Sequence, residues 1–284
     1  MFRFSLVRTA VLAVVLIPVV ALVAGCGGGG GNHIAPVVTQ HTVSGLQYSK
    51  TASITLQGRY LDSGMTAQAG SCSNPMFAVS STAQQAVLTC KVSAVGPIDL
   101  VVKDATGQVV YTAALAVPKP QVTLLTSKGS VVLELEPAVV PVTVDNFLGY
   151  VNSGYYQGTL FHRVISGFVV QGGGYTTGLV QKPGQRDAIV LETNKGLSNT
   201  EGTVAMARRN DPDTATSEFY INLKDNNLAL DYKSSTEPGY AVFGTVVQGM
   251  DIVKTIASVP TATRDGFADV PTEDVTISFA AQTR

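Results

Sequence analysis

The chain has 284 residues, 45% of them hydrophobic and only 14% charged, with a formal net charge of −1. That length admits one or two domains with ample apolar content for a core, and the near-neutral balance leaves no basic footprint for a nucleic-acid partner. Ser, Thr, Gln and Gly fill the surface that charged residues usually occupy, which fits an extracytoplasmic protein.

The N-terminus reads as a targeting segment. Arg3 and Arg8 precede an apolar run from Ala10 to Val23, which meets Val23-Ala24-Gly25-Cys26. A basic start, a short apolar stretch and a small-residue exit make a secretory signal, and the run is short for a spanning helix. The exit resembles a bacterial lipobox, which implies that residues 1–25 are removed and that Cys26 is lipidated as the first mature residue. An ordinary signal peptide or a single anchor helix is the alternative. Cleavage removes two arginines and no acid, leaving 17 basic against 20 acidic residues, a charge of −3. The resemblance implies a lipid anchor on the periplasmic side of the bacterial envelope. Gly27, where a retention-type aspartate is absent, points to the outer rather than the inner membrane.

Residues 26–37 form a Gly-rich tether built on Gly27–Gly31, with His33 and His41 in it or at its edge. From 38 to 117 come short alternating apolar runs, among them Ser53–Leu61, Ala86–Val92, Ile98–Asp104 and Val109–Val117, with a turn at Asp104-Ala105-Thr106-Gly107. Strands at roughly ten-residue spacing predict a small immunoglobulin-like β-sandwich. Cys72 and Cys90 form an even pair in an oxidising compartment, which argues for a disulfide across neighbouring strands or a strand and a loop; two buried free thiols are the alternative. No CxxC occurs and no histidine stands near either cysteine, so neither a zinc site nor a redox dithiol is expected. The segment carries no chemical motif and reads as a spacer or as a client-binding module.

Pro118-Lys119-Pro120 is a stiff joint, and residues 121–284 form a second domain. Val122, Leu124, Leu133 and Leu135 alternate around a turn at Ser127–Ser130, a hairpin. Thr143 is placed to cap a helix with Val144, Phe147, Leu148 and Val151 on one face, ended by Gly154. A second helix near Asp251–Ser258 buries Ile252, Val253 and Ile256. Periodicity alone gives a β-rich barrel or sandwich.

The most informative run is Thr159–Gly174, TLFHRVISGFVVQGGG. Read as one extended segment, it puts Arg163, Val169 and Gln171 an even number of residues apart and on one face. A guanidinium, an amide and apolar walls suit binding an extended peptide better than cutting one. At these residues the chain resembles the cyclophilins, the peptidyl-prolyl cis-trans isomerases with the signature FHRxxxGFxxQGG. The resemblance runs from Gln121 to the C-terminus through GTVAMAR (Gly202–Arg208), SEFYINL (Ser217–Leu223), LALD (Leu228–Asp231) and YAVFGTVVQGMD (Tyr240–Asp251). It implies a closed eight-stranded antiparallel barrel plugged by two helices. It also implies an isomerase of X-Pro bonds working on unfolded or partly folded proline-containing polypeptides as a monomer, with no cofactor and no metal.

Amide resonance sets a barrier of ~18–20 kcal/mol for this rotation. The twisted transition state has a pyramidal nitrogen, so a donor aimed at it stabilises that state above either planar one. Arg163, always charged and a rigid fork of donors, is the candidate. By resemblance, Phe168, Val169, Tyr220 and Leu230 line the proline slot, and Gln171 orients Arg163 and contacts substrate. Backbone groups of Ala207 and Arg208 hold the residue before proline. The chain departs from the family pattern with Tyr240 for a pocket histidine, as in bacterial periplasmic members, Val169 for methionine, Glu218 for glutamine and Arg208 for asparagine. Ala229 falls where many eukaryotic members carry the tryptophan that contacts cyclosporin. Other chemistries find no footing: no GxSxG elbow accompanies His162, and Thr177 breaks a dinucleotide fingerprint. Asp211 and Asp213 flank a proline in a solvated turn. The rival reading is a non-catalytic peptide-binding or adhesion lipoprotein.

Overall fold

The computed structural model describes residues 34–284. The signal segment 1–25, Cys26, the glycine run and His33 lie outside the described residues. The chain divides into two compact units, one ending at Val117 and the other Pro118–Arg284.

The first unit has seven strands: β1 Val37–Ser44, β2 Thr51–Arg59, β3 Thr66–Ala69, β4 Cys72–Phe77, β5 Gln85–Val92, β6 Gly96–Lys103 and β7 Val109–Val117. They form two sheets, ordered β1-β2-β5-β4 and β3-β6-β7, which is the strand arrangement of a seven-strand immunoglobulin constant-type sandwich. Alternate residues are buried as a one-sided sheet requires: Ala52, Ile54 and Leu56 on β2, Leu88, Cys90 and Val92 on β5, and Ile98, Leu100 and Val102 on β6. Cys72 and Cys90 form a disulfide with a Cα–Cα distance of 5.4 Å. Cys72 pairs with Val92 in the β4–β5 ladder, so the bond is a diagonal within one sheet.

The strand begins at Val37, and His41 sits mid-strand on β1 rather than at a tether edge. Its Nδ1 lies 2.7 Å from the Tyr111 hydroxyl on β7, joining edge strands of the two sheets, and burial lowers its pKa.

The second unit opens with the hairpin β8 Gln121–Thr126 and β9 Gly129–Leu135, then α1 Pro141–Asn152. Next come β10 Thr159–Leu160, β11 Arg163–Ile165, β12 Val169–Gly172, β13 Tyr175–Thr176, β14 Val180–Gln181, β15 Thr203–Met206, β16 Phe219–Asn222 and the short α2 Asn227–Leu230. The last elements are β17 Val242–Gln248, α3 Met250–Ala257, β18 Thr261–Arg264, β19 Phe267–Pro271 and β20 Thr276–Gln282.

The main sheet runs β10-β20-β8-β9-β17-β15-β16-β12-β11. Its two end strands are separated in sequence by only Phe161 and His162, so the chain itself joins them. Counted as one strand bent at that dipeptide, β10 and β11 make the eight staves expected of the barrel; the ladder count of nine reflects the bend. On the inner face one row crosses four strands, Val164–Val170–Ile221–Val204, and no member is more than 2% exposed. Phe147 of α1 packs among Phe219, Phe243 and Tyr156 at ring distances of 4.9–5.5 Å. Truncating such a buried aromatic costs ~3–5 kcal/mol.

Thr143 does not cap α1. The helix begins at Pro141, whose fixed φ and absent N–H suit its first position, and Thr143 lies inside the first turn. Its backbone N–H and hydroxyl both donate to the Glu192 carboxylate at 2.8 Å, so an acid 49 residues away occupies the positive end of the helix. Gly154 follows the helix at φ 73°, as expected of a C-terminal stop. The described residues hold three helices rather than two, α2 being the addition, and none is long and apolar enough to cross a membrane.

Candidate active site

The segment read as one extended strand is a hairpin. β11 and β12 are antiparallel, the chain reverses through Ser166-Gly167-Phe168, and Gly167 takes the left-handed φ of 67° that the turn needs. Arg163 and Gln171 therefore share a face because they are cross-strand partners. The ladders extend this pairing into one transverse row, Arg163–Gln171–Tyr220–Ala205–Val242, across five strands. Opposed residues share a sheet face, so the row lies opposite the inner row of Val164 and Val170.

Around it forms one apolar cluster. Val169, Ala205, Tyr220 and Val242 are buried, and Phe168, Leu197, Ala207, Leu230 and Tyr240 pack on them partly exposed. The Phe168 carbonyl accepts from Leu223 N–H and Asn226 Nδ2, both at 2.9 Å, which pins the aromatic at the mouth. Tyr220 and Tyr240 meet edge to face at 5.8 Å. Arg208 lays its guanidinium 4.7 Å from the Tyr240 ring while donating to the carbonyls of Gly239, Arg209 and Asn210. The Ala207 N–H is committed to the Glu218 carbonyl at 2.9 Å.

The polar side of the row is a directional chain. Arg163 Nη1 donates to Gln171 Oε1 at 3.1 Å, and Gln171 Nε2 donates to Glu218 Oε2 at 2.9 Å. His162 Nε2 lies 3.2 Å from the same oxygen. Burial alone raises the Glu218 pKa, but the His162 hydrogen bond and charge, with Gln171 and Arg209, bring it below the ordinary carboxylate value. A cleft of about 370 Å³ opens beside Arg163 and Gln171, walled by His162, Tyr175, Glu218, Phe267 and Asp269. Among the described residues no group of three or more His, Cys, Asp or Glu is placed to hold a metal ion.

Of the nine residues singled out for catalysis and substrate contact, Phe168, Val169, Ala207, Tyr220, Leu230 and Tyr240 belong to the apolar cluster, Arg208 lies over Tyr240, and Gln171 and Arg163 continue the row from Tyr220. Cys72 and Cys90 belong to the other unit, and Ala229 is exposed on α2. Sequence reasoning missed Asn199, fully buried within a turn-rich stretch. It accepts from the Tyr220 hydroxyl at 2.8 Å and donates to Asp231 at 2.8 Å. Burial, then the nearby Tyr240 and Asp231, pushes the Tyr220 pKa well up, so the hydroxyl remains a donor. Leu197, Ala205 and Val242 also belong to the apolar cluster and carry no local sequence signal that marks them out from ordinary core residues.

Residues 121–281 match the sequence model of the cyclophilin type peptidyl-prolyl cis-trans isomerase/CLD family. The chain belongs to this family. The cyclophilin unit is 51% identical over 161 residues to peptidyl-prolyl cis-trans isomerase cyp18 of Streptomyces antibioticus, covering 56% of this chain and 96% of that one. It is 46% identical over 157 residues to isomerase B of Escherichia coli, covering 55% and 95%. Among solved structures, the cyclophilin type isomerase of Cryptosporidium parvum determined in the presence of the dipeptide Ala-Pro gives a TM-score of 0.49 at 25% identity, over 58% of this chain and 99% of that one. On the family match and the two sequence relatives, this cyclophilin is a peptidyl-prolyl cis-trans isomerase.

Proposed function

We propose that this isomerase acts on X-Pro bonds of extracytoplasmic client proteins, held at the periplasmic face of the envelope by a lipid on Cys26. The proline ring enters the slot of Phe168, Val169, Tyr220 and Leu230, and Arg163 donates to the nitrogen as the amide twists. No bond is made or broken, so no nucleophile is required. The observation that carries the reading is the row Arg163–Gln171–Tyr220, in which a pre-oriented guanidinium adjoins an apolar cluster. Preorganised donors of this kind lower barriers because nothing reorganises as the charge develops. The lipid anchor and the envelope location rest on the lipobox resemblance. The first unit, whose sequence carries no chemical motif, acts as a spacer in this reading. The chain acts as a monomer.

A protease-coupled assay on the chain from residue 27 onward, using a proline-containing peptide, tests the activity. Turnover that saturates with peptide and falls on Phe168→Ala supports the site. Full activity in that variant would remove the slot from the account.

A further inference from the structure

We propose that Glu218 is a positioning residue for the isomerisation: its carboxylate fixes which way round the Gln171 amide sits, and Gln171 in turn holds the Arg163 guanidinium. The inference rests on the role given to Arg163 above and extends it.

A side-chain amide has two ends of opposite polarity. An ionised carboxylate only accepts hydrogen bonds and a guanidinium only donates them. Placed between Glu218 and Arg163, the Gln171 amide satisfies both neighbours in a single orientation, with Nε2 toward Glu218 at 2.9 Å and Oε1 toward Arg163 at 3.1 Å. Turned over, its NH₂ would face the guanidinium and its carbonyl the carboxylate. The family resemblance puts a glutamine at this position. A glutamine there could present either end of its own amide, so it would discriminate less between the two orientations. The acid in this chain makes the chain of polarity one-directional.

Two independent features favour the acid in this place, one by leaving room for it and one by contacting it. Gly174 has a φ outside the left-handed region, so its backbone does not demand glycine. A Cβ there would come within 2.6, 2.8 and 2.9 Å of Glu218 Cγ, Cδ and Oε1, closer than side chains tolerate. Glycine is present to leave room for the carboxylate. On the other side His162, 4% exposed, packs with its ring tilted 59° and 4.7 Å from that of Tyr175 and reaches Glu218 with Nε2. Its Nδ1 has no hydrogen-bond partner among the described residues, so the polar contact that orients this ring is the one to Glu218. The other charged or titratable groups near the carboxylate are Arg209, Tyr175 and, across the cleft, Asp269.

The test is a double-mutant cycle on the full soluble chain, with kcat and KM for an Ala-Pro peptide measured in the wild type, Arg163→Ala, Glu218→Leu and the double variant. Glu218→Leu is expected to lower kcat about tenfold, within the range for coupled neighbours, while KM stays within about twofold. In the Arg163→Ala background it should change kcat by less than about twofold, because no guanidinium remains to be positioned. The near-isosteric Glu218→Gln, which keeps the packing, should show the same coupling with a smaller loss, and Gly174→Ala should imitate Glu218→Leu. Equal losses in both backgrounds, an unchanged kcat, or an effect confined to KM each overturn the positioning role alone. Wild-type turnover by Arg163→Ala overturns the parent reading and this one with it.

Discussion

Gln171 stands between Arg163 on β11 and Tyr220 on β16 in the sheet, accepting from the Arg163 guanidinium at 3.1 Å while its backbone pairs with that of Tyr220. This relationship ties the polar and apolar halves of the site to a single rigid row. Phe168 is the last residue of the three-residue turn that joins β11 to β12, so the slot and the donor are carried on one hairpin.

The Cys72–Cys90 disulfide joins adjacent strands with a sequence separation of 18. Closing a loop of that size restricts the unfolded chain and contributes ~3 kcal/mol in the chain-entropy model. Reduction, or Cys72→Ala with Cys90→Ala, should lower the denaturant midpoint of the first unit while leaving isomerase activity unchanged. Alkylation of the unreduced protein should find no free thiol at either position; two modified cysteines would contradict the bond.

Glu192 provides an unexpected helix cap. Glu192→Ala leaves the Thr143 N–H and hydroxyl, both inside the protein, without their acceptor. A lost cap typically costs ~1 kcal/mol, and stranded buried donors push the figure toward ~2–3 kcal/mol. Chemical denaturation of Glu192→Ala and Glu192→Gln should rank them below the wild type in that order. Equal stability of all three would show that the carboxylate is not the cap.

These elements show what the chain reveals in advance and what it conceals. Strand alternation in Ile54–Leu56, Leu88–Val92 and Leu133–Leu135 is local, and two-residue periodicity exposes it directly. The hairpin at Gly167 was hidden by arithmetic: even spacing places Arg163 and Gln171 on one face whether the chain runs straight or folds back with an odd-numbered loop. Glu192 and Asn199 act across 49 and 21 residues, and nothing in their immediate neighbours marks them. The motif residues Arg163, Phe168, Gln171 and Tyr220 were legible because they are clustered in sequence. Their partner Glu218 was legible as a departure from the family pattern, but its role required the geometry around Gln171 and Gly174.

The lipid anchor is tested outside the folded units. Cys26→Ser should leave an unprocessed precursor that takes up no fatty-acid probe, whereas the wild-type chain should be labelled and shortened by its first 25 residues. Normal labelling of the variant would end the lipoprotein reading without touching the isomerase.

The central claim is that Arg163 stabilises the twisted amide rather than the bound peptide. Exchange NMR on an Ala-Pro peptide, run beside a binding titration, separates the two for Arg163→Ala and Phe168→Ala. Losing one preorganised donor costs ~3–4 kcal/mol at the transition state, so Arg163→Ala should isomerise about 10² to 10³ times more slowly with affinity nearly intact. Phe168→Ala, which empties the slot, should lose affinity and rate together. Near-normal isomerisation by Arg163→Ala, or a loss of rate no greater than its loss of affinity, would contradict the account.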